Sequence, residues 1–136
     1  MNTEGGTTGA RLTKEERISS RLLIEKLFSG GGSRSMAAFP VRLVYMETER
    51  GEHEPPVSIM VSVPKRCFKR AVARNRVKRQ LREAYRHNKQ LLWQRLADKP
   101  GQRLLIAFIW TDNQLHSSAE VGRKMRNLLT RLSEKL

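Results

Sequence analysis

Residues 65–89 hold eleven Lys and Arg and a single acid, Glu83, a density of charge that restricts both how the stretch folds and what can lie beside it. From Arg70 to Ala97 there is no Gly or Pro and an abundance of strong helix formers, so one long helix is expected over residues 70–97. With 3.6 residues per turn, Ala73, Val77, Leu81, Ala84 and Leu91 share one side, Asn88 being the polar exception. Asn75, Lys78, Arg79, Arg82, Arg86 and Lys89 fall within an arc of about 100° on the other side. The helix is therefore expected to pack through one face and present a polycationic stripe on the opposite one. Like charges at i, i+3 and i, i+4 repel by roughly a few tenths of a kcal/mol per pair, so the stripe is unfavourable unless a polyanion lies along it. A merely solvated lysine-rich face would mix in Glu partners, and here only Glu83 is available. Arg outnumbers Lys by seven to four in this segment. Arg binds phosphate bidentately and stacks on bases, as Lys does not.

The whole chain carries the same bias. Its 136 residues include 27 Lys and Arg against 13 Asp and Glu, a net charge of +14 and a pI near 11.1. That excess exceeds what solubility needs and points to nucleic acid. An anionic membrane surface is the other polyanion to weigh, but no segment combines an apolar face with interfacial anchors. The longest apolar run, the seven residues 104–110, is too short to span a bilayer. The lone Cys67 excludes an intramolecular disulfide and a multi-cysteine zinc site, and suits a reducing cytoplasm. Residues 1–10 are rich in Gly and Thr without an apolar h-region, and read as a flexible arm rather than a secretory signal. Residues 11–136 then form a single domain, long enough for one real core.

Thr13 to Glu16 has the capping-box form, and Ile18, Leu22, Leu23, Leu27 and Phe28 follow at helical spacing, so a first helix is expected to start at Thr13. Glycines 30–32 end it. Residues 39–46 are β-prone, with Pro40 at the strand's start or on an edge. Residues 47–56, acidic and containing Gly51, Pro55 and Pro56, read as a hairpin loop. Residues 57–63 place β-branched side chains at alternate positions, and Pro64 stops that strand. Residues 104–110 read as a central strand, apolar on both faces. Ser117 or Ser118 caps a last helix whose buried face is Val121, Met125, Leu128, Leu129 and Leu132. The expected order is α-β-β-α-β-α, with room for one more short strand: an α+β fold.

Other chemistry finds little support. A protein nuclease of the two-metal type needs clustered carboxylates. The only aspartates, Asp98 and Asp112, fall near element ends, and Glu47, Glu49, Glu52 and Glu54 crowd one loop as a solvated tip. His53, His87 and His116 lack ligand spacing. Cys67 reads as a small loop-packing residue, and Trp93 and Trp110 as core or core-edge. Reading of DNA by a helix in its groove is possible, but a strand and a basic loop, rather than a second helix and short turn, precede Arg70. A sheet-backed helix offering Arg to backbone suits structured RNA, whose deep major groove excludes side-chain readout.

The run from Ala71 to Arg86, with Arg74-Asn75-Arg76-Val77-Lys78-Arg79 and then Leu81-Arg82-Glu83 at its core, resembles the signature helix of the bacterial ribonuclease P protein subunit. Ser62-Val63-Pro64-Lys65-Arg66 resembles that family's strand end and basic loop, and the element order agrees over residues 11–134. The resemblance implies a single mixed sheet related to a domain of a small-subunit ribosomal protein, with the signature helix on a left-handed β-α-β crossover. It implies a protein that carries no active site, binds a catalytic RNA and helps it remove the 5′ leader of precursor tRNA. The catalytic RNA would hold the required Mg²⁺, and the protein would lower Mg²⁺ demand and broaden substrate use. Carried over by position, the RNA-contact residues are Lys65, Arg66, Arg70, Arg74, Asn75, Arg76, Lys78, Arg79 and Arg82. The leader-binding cleft takes Phe28, Ile24, where the family often has a second aromatic, and Arg42, or Val44 on the same strand face. Pro64, where many members have a small residue, would stiffen the loop. The alternative is a ribosomal or assembly protein that binds rRNA with no catalytic partner; the signature helix separates the two.

Overall fold

The computed structural model describes residues 12–29 and 31–136. A 3-10 turn at Lys14–Glu16 is followed by α1 (Arg21–Phe28), β1 (Arg34–Ala38), β2 (Val41–Glu49), β3 (Val57–Ser62), α2 (Ala71–Asn88), α3 (Gln90–Leu96), β4 (Gln102–Trp110) and α4 (Ser118–Ser133). The expected arm, residues 1–10, and Gly30 lie outside the described residues.

The strand order is β1-β2-β4-β3. A strand apolar on both faces has to be covered on both, and β4 takes the interior position that does so. It runs antiparallel to β2 from Val41↔Trp110 to Glu49↔Gln102, and parallel to β3 from Val57↔Leu104 to Ser62↔Ile109. The single mixed sheet is thus as expected, and β1 is the additional short strand. Residues 47–56 are not a hairpin loop, however, because β4 lies between β2 and β3. Leu104 N donates to Pro56 O at 2.8 Å and Arg50 N to Gly101 O at 2.9 Å, which brings β4 into that gap. The actual hairpin is β1–β2, turned at Phe39-Pro40, so Pro40 does stand at the start of a strand.

Alternation sorts each strand's side chains between two faces. One face sends Leu43, Tyr45, Ile59, Ile106, Phe108 and Trp110 into the main core with Val77, Leu81 and Tyr85 of α2, Leu92 and Leu96 of α3, and Met125, Leu128 and Leu129 of α4. The expected buried face of α4 is correct, and Ser117 is its cap, accepting from Glu120 N at 3.1 Å. Trp110 is fully buried and Trp93 half-buried, as expected of core and core-edge residues. The other face sends Val44, Met46, Leu105 and Ala107 against Leu27 of α1 and Ile18. Because α1 has only eight residues, it covers part of that face.

Two helix expectations need correction. The Thr13 box forms, with Thr13 N and Oγ1 both 2.9 Å from Glu16 Oε2, yet it caps only a 3-10 turn. Ile18 N then donates to Ile59 O at 2.7 Å, so the chain joins the edge of β3 instead of continuing as helix. α1 starts afresh at Ser20, whose hydroxyl accepts from Leu23 N. The long helix expected over 70–97 is broken at Lys89 into α2 and α3. The Asn88 amide donates to Ala84 O at 2.8 Å, and Lys89 turns inward to Glu16.

Candidate nucleic-acid interface

α2 lies on the sheet because its buried positions, Val77, Gln80, Leu81, Ala84 and Tyr85, recur at three- and four-residue intervals. The Gln80 amide ties it to α4, donating to His116 O at 3.0 Å and Ser118 Oγ at 3.2 Å. Burial of that face leaves the cations on the other. Arg70 is the N-cap without a side-chain cap bond, and the first turn holds no acid, so the positive end of the helix dipole adds to the charge of Lys65, Arg66 and Arg70. These three, with Asn75, Arg76 and Arg79, are exposed; Lys78 and Arg82 are half-buried.

The structure gathers Asn75, Lys78, Arg79, Arg82 and Arg86 on one groove of about 540 Å³, closed on its far side by Leu12 and Arg17. Burial lowers the Arg82 pKa from its ordinary value, and the nearby Arg17 lowers it further. The groove is therefore cationic at a cost, which an anion within it would relieve. Arg86 donates to both Glu83 oxygens, at 2.8 and 3.0 Å, and this bond holds the Glu83 carboxyl below its ordinary range. Two residues behave otherwise than the stripe suggests. Arg74 Nη1 turns back onto Phe68 O and Lys69 O, both at 2.8 Å, and so organises the basic loop. Lys89, expected on the stripe, has a side chain 1% exposed and paired with Glu16. Cys67 packs against the core in that loop, its thiol 3.8 Å from Trp110 O.

The sequence model of the family described as ribonuclease P matches residues 12–133. The chain belongs to the ribonuclease P protein family. It is 40% identical over 123 residues to the ribonuclease P protein component of Porphyromonas gingivalis ATCC 33277, covering 90% of this chain and 86% of that one. It is 32% identical over 130 residues to the ribonuclease P protein component of Chlorobaculum tepidum, covering 88% and 83%. The solved RNase P protein from Thermotoga maritima shares the fold, with a TM-score of 0.63 at 21% identity over 85% of this chain and 96% of that one. Membership makes the chain a protein subunit of ribonuclease P and disfavours an rRNA-binding protein without a catalytic partner.

In this ribonuclease P protein the residues expected at the leader cleft divide between α1, which carries Ile24 and Phe28, and the sheet face that α1 only partly covers, which carries Arg42. Phe28, at the end of α1, is 46% exposed, and Arg42, paired in register with Ile109, is exposed. Ile24 is half-buried against the second core cluster. Val44, the alternative to Arg42, is 6% exposed and belongs to that cluster under α1, so it does not line an open cleft. A further hollow of about 290 Å³ along the β3 edge is lined by Leu12, Arg17, Ile18, Ser19, Met60 and Arg82 among others. It shares Arg17 and Arg82 with the α2 groove. Sequence reasoning missed Arg17. Its only signal was its charge, and helical periodicity assigned it to a helix that does not form there.

The described residues bring no three His, Cys, Asp or Glu side chains together. Asp112 is 2.8 Å from His116, and Glu54 is 3.0 Å from Arg103.

Proposed function

We propose that the exposed face of α2 and its preceding loop bind the catalytic RNA of ribonuclease P, through Lys65, Arg66, Arg70, Asn75, Arg76, Lys78, Arg79 and Arg82. Arg74 acts from the same helix by shaping the loop. The observation that carries this reading is the groove in which one helix lines up Lys78, Arg79, Arg82 and Arg86 with a single acid among them. The partly covered sheet face takes the single-stranded 5′ leader of precursor tRNA at Phe28, Ile24 and Arg42, with Phe28 as the stacking surface. The active site lies in the RNA, and the chemistry, with the Mg²⁺ it requires, belongs there. No residue of this chain is assigned to hold the metal. The protein's part is to bind, to orient the leader and to offset phosphate repulsion, which lowers the Mg²⁺ the assembly needs and broadens the substrates it accepts. The complex works in the cytoplasm; among the described residues no helix is long and apolar enough to cross a membrane.

The test is reconstitution of precursor-tRNA cleavage with a bacterial ribonuclease P RNA at low Mg²⁺. Protein freed of RNA is expected to be inactive, and its addition to the RNA to restore 5′ cleavage. Cleavage by RNA-free protein that a point mutation in the chain abolishes would place the active site in the protein instead.

A further inference from the structure

Among the described residues, the most deeply buried ion pair lies just past the C-terminal end of α2. Lys89 Nζ lies 2.8 Å from Glu16 Oε1, across 73 residues of sequence, with the two side chains 1% and 2% exposed. The other Glu16 oxygen accepts from Thr13 N and Thr13 Oγ1. Lys89 Nζ also sits 4.8 Å from the centre of the Trp93 ring, and Trp93 Nε1 donates to Tyr85 OH at 3.3 Å. A well-packed apolar pair would hold two segments together at least as firmly, so a buried ion pair is better understood as fixing one particular register.

The register has a consequence for the next residue. Arg17, the first residue after the 3-10 turn, has an extended backbone, φ −99° and ψ 130°, so its side chain and that of Ile18 point to opposite sides. Glu16 and Ile18 are buried, and Arg17 between them is exposed and lines the groove opposite Asn75, Lys78, Arg79 and Arg82. The bond from Ile18 N to Ile59 O fixes the segment from the other end. We infer that Arg17 is a further RNA-contact residue, closing the groove over the RNA backbone from the side opposite α2, and that the Glu16–Lys89 pair is the strut that positions it. The inference rests on the reading of α2 as the RNA face. Arg17 and Arg82 line the same groove, where burial first and then the charge of Arg17 lower the Arg82 pKa, and a phosphodiester between the two would be attracted to both.

The experiment is binding of the full chain to a bacterial ribonuclease P RNA across a salt series, with thermal melts to establish folding. Arg17→Ala is expected to weaken binding about tenfold, the loss of one charged hydrogen bond. It should also reduce the log–log salt slope by roughly 0.7 to 0.9, the share of one phosphate contact. Arg17→Lys should keep the slope. The paired variant Glu16→Gln/Lys89→Met, which leaves no buried charge, should weaken binding while folded. Adding Arg17→Ala to it should then cost little more. A purely structural strut would instead leave binding at the wild-type level in the folded paired variant, or leave the Arg17→Ala effect undiminished, and either result overturns the positioning role. Should the paired variant not fold, the exposed Thr13→Ala loosens Glu16. About twofold weaker binding there supports the strut, as expected for one neutral hydrogen bond, and wild-type binding overturns it. Arg79→Ala separates the two levels. If it weakens binding and Arg17→Ala does not, this inference fails alone; if neither does, the RNA face itself is misassigned.

Discussion

In the middle of α2, Lys78, Arg79 and Arg82 line an open groove; just past its C-terminal end, Lys89 is closed off from solvent against Glu16. A straight helix would put all four on one stripe, so their chemistry and spacing do not distinguish them. What distinguishes them is the segment at residues 12–18, which stands off from the middle of the helix and docks against its end. Two acids near this helix show the same contrast. Glu83 meets Arg86 at the surface with its side chain 52% exposed, where such a pair contributes little. Glu16, 2% exposed, meets Lys89 and accepts from the Thr13 donors. The N-terminal segment withdraws Lys89 from the surface and leaves Lys78, Arg79 and Arg82 lining the groove.

The largest effect should separate the two regions in stability. Lys89→Met removes one member of a buried pair and should cost about 3–5 kcal/mol, read by urea unfolding, with most of the loss recovered when Glu16→Gln also removes the stranded charge. Arg79→Ala, on the exposed groove, should change stability by less than about 0.5 kcal/mol. Equal costs at the two positions would erase the distinction.

Binding should show the reverse pattern. If about five of Lys65, Arg66, Lys78, Arg79, Arg82 and Arg86 reach phosphates, log K should fall with log salt at a slope near −4, measured from about 50 to 200 mM. Arg79→Ala should flatten it by about one unit or slightly less, weakening all sequences alike. Asn75→Ala should lower affinity and leave the slope unchanged, because an amide in the same groove donates and accepts without carrying charge. Identical slope changes in both would show that the groove does not act by neutralising phosphate.

The smallest effect tests a pair outside both regions. The hydrogen bond from His116 holds the Asp112 carboxyl below its ordinary range, helped by the Asn113 backbone. A group whose pKa is depressed on folding contributes stability above its unfolded value and loses it as pH falls through the folded one. Asp112→Asn should therefore lower the melting temperature slightly at neutral pH and leave it unchanged at the acid end. A melting temperature equally depressed at both ends would show that the pair does not act through charge.

Elements with strong local signals were legible. The apolar face of α2, the doubly buried β4, and α4 with its Ser117 cap all follow from periodicity within a few residues, as does the Thr13 box as a hydrogen-bonded unit. The signature run from Ala71 to Arg86 carried the family. The connection through residues 47–56 was misread because hairpins are inferred from strands adjacent in sequence. Here β2 and β3 each pair with β4 instead, at separations of 53 to 69 and of 47 residues.

Composition and spacing by themselves determined that this chain has a packed, cationic helix in an α+β fold and calls for a polyanionic partner; the signature run made that partner RNA. Those properties reside in short stretches whose preferences need no distant help. Tertiary structure alone decided which cations stay outside. Glu16 could have continued a helix, and Lys89 could have remained on the stripe. A carboxylate and an ammonium can be buried only when they meet. Their meeting, 73 residues apart in the chain, lies at the point where the long helix breaks at Lys89, and with the bond from Ile18 N to Ile59 O it fixes the segment that carries Arg17 to the groove.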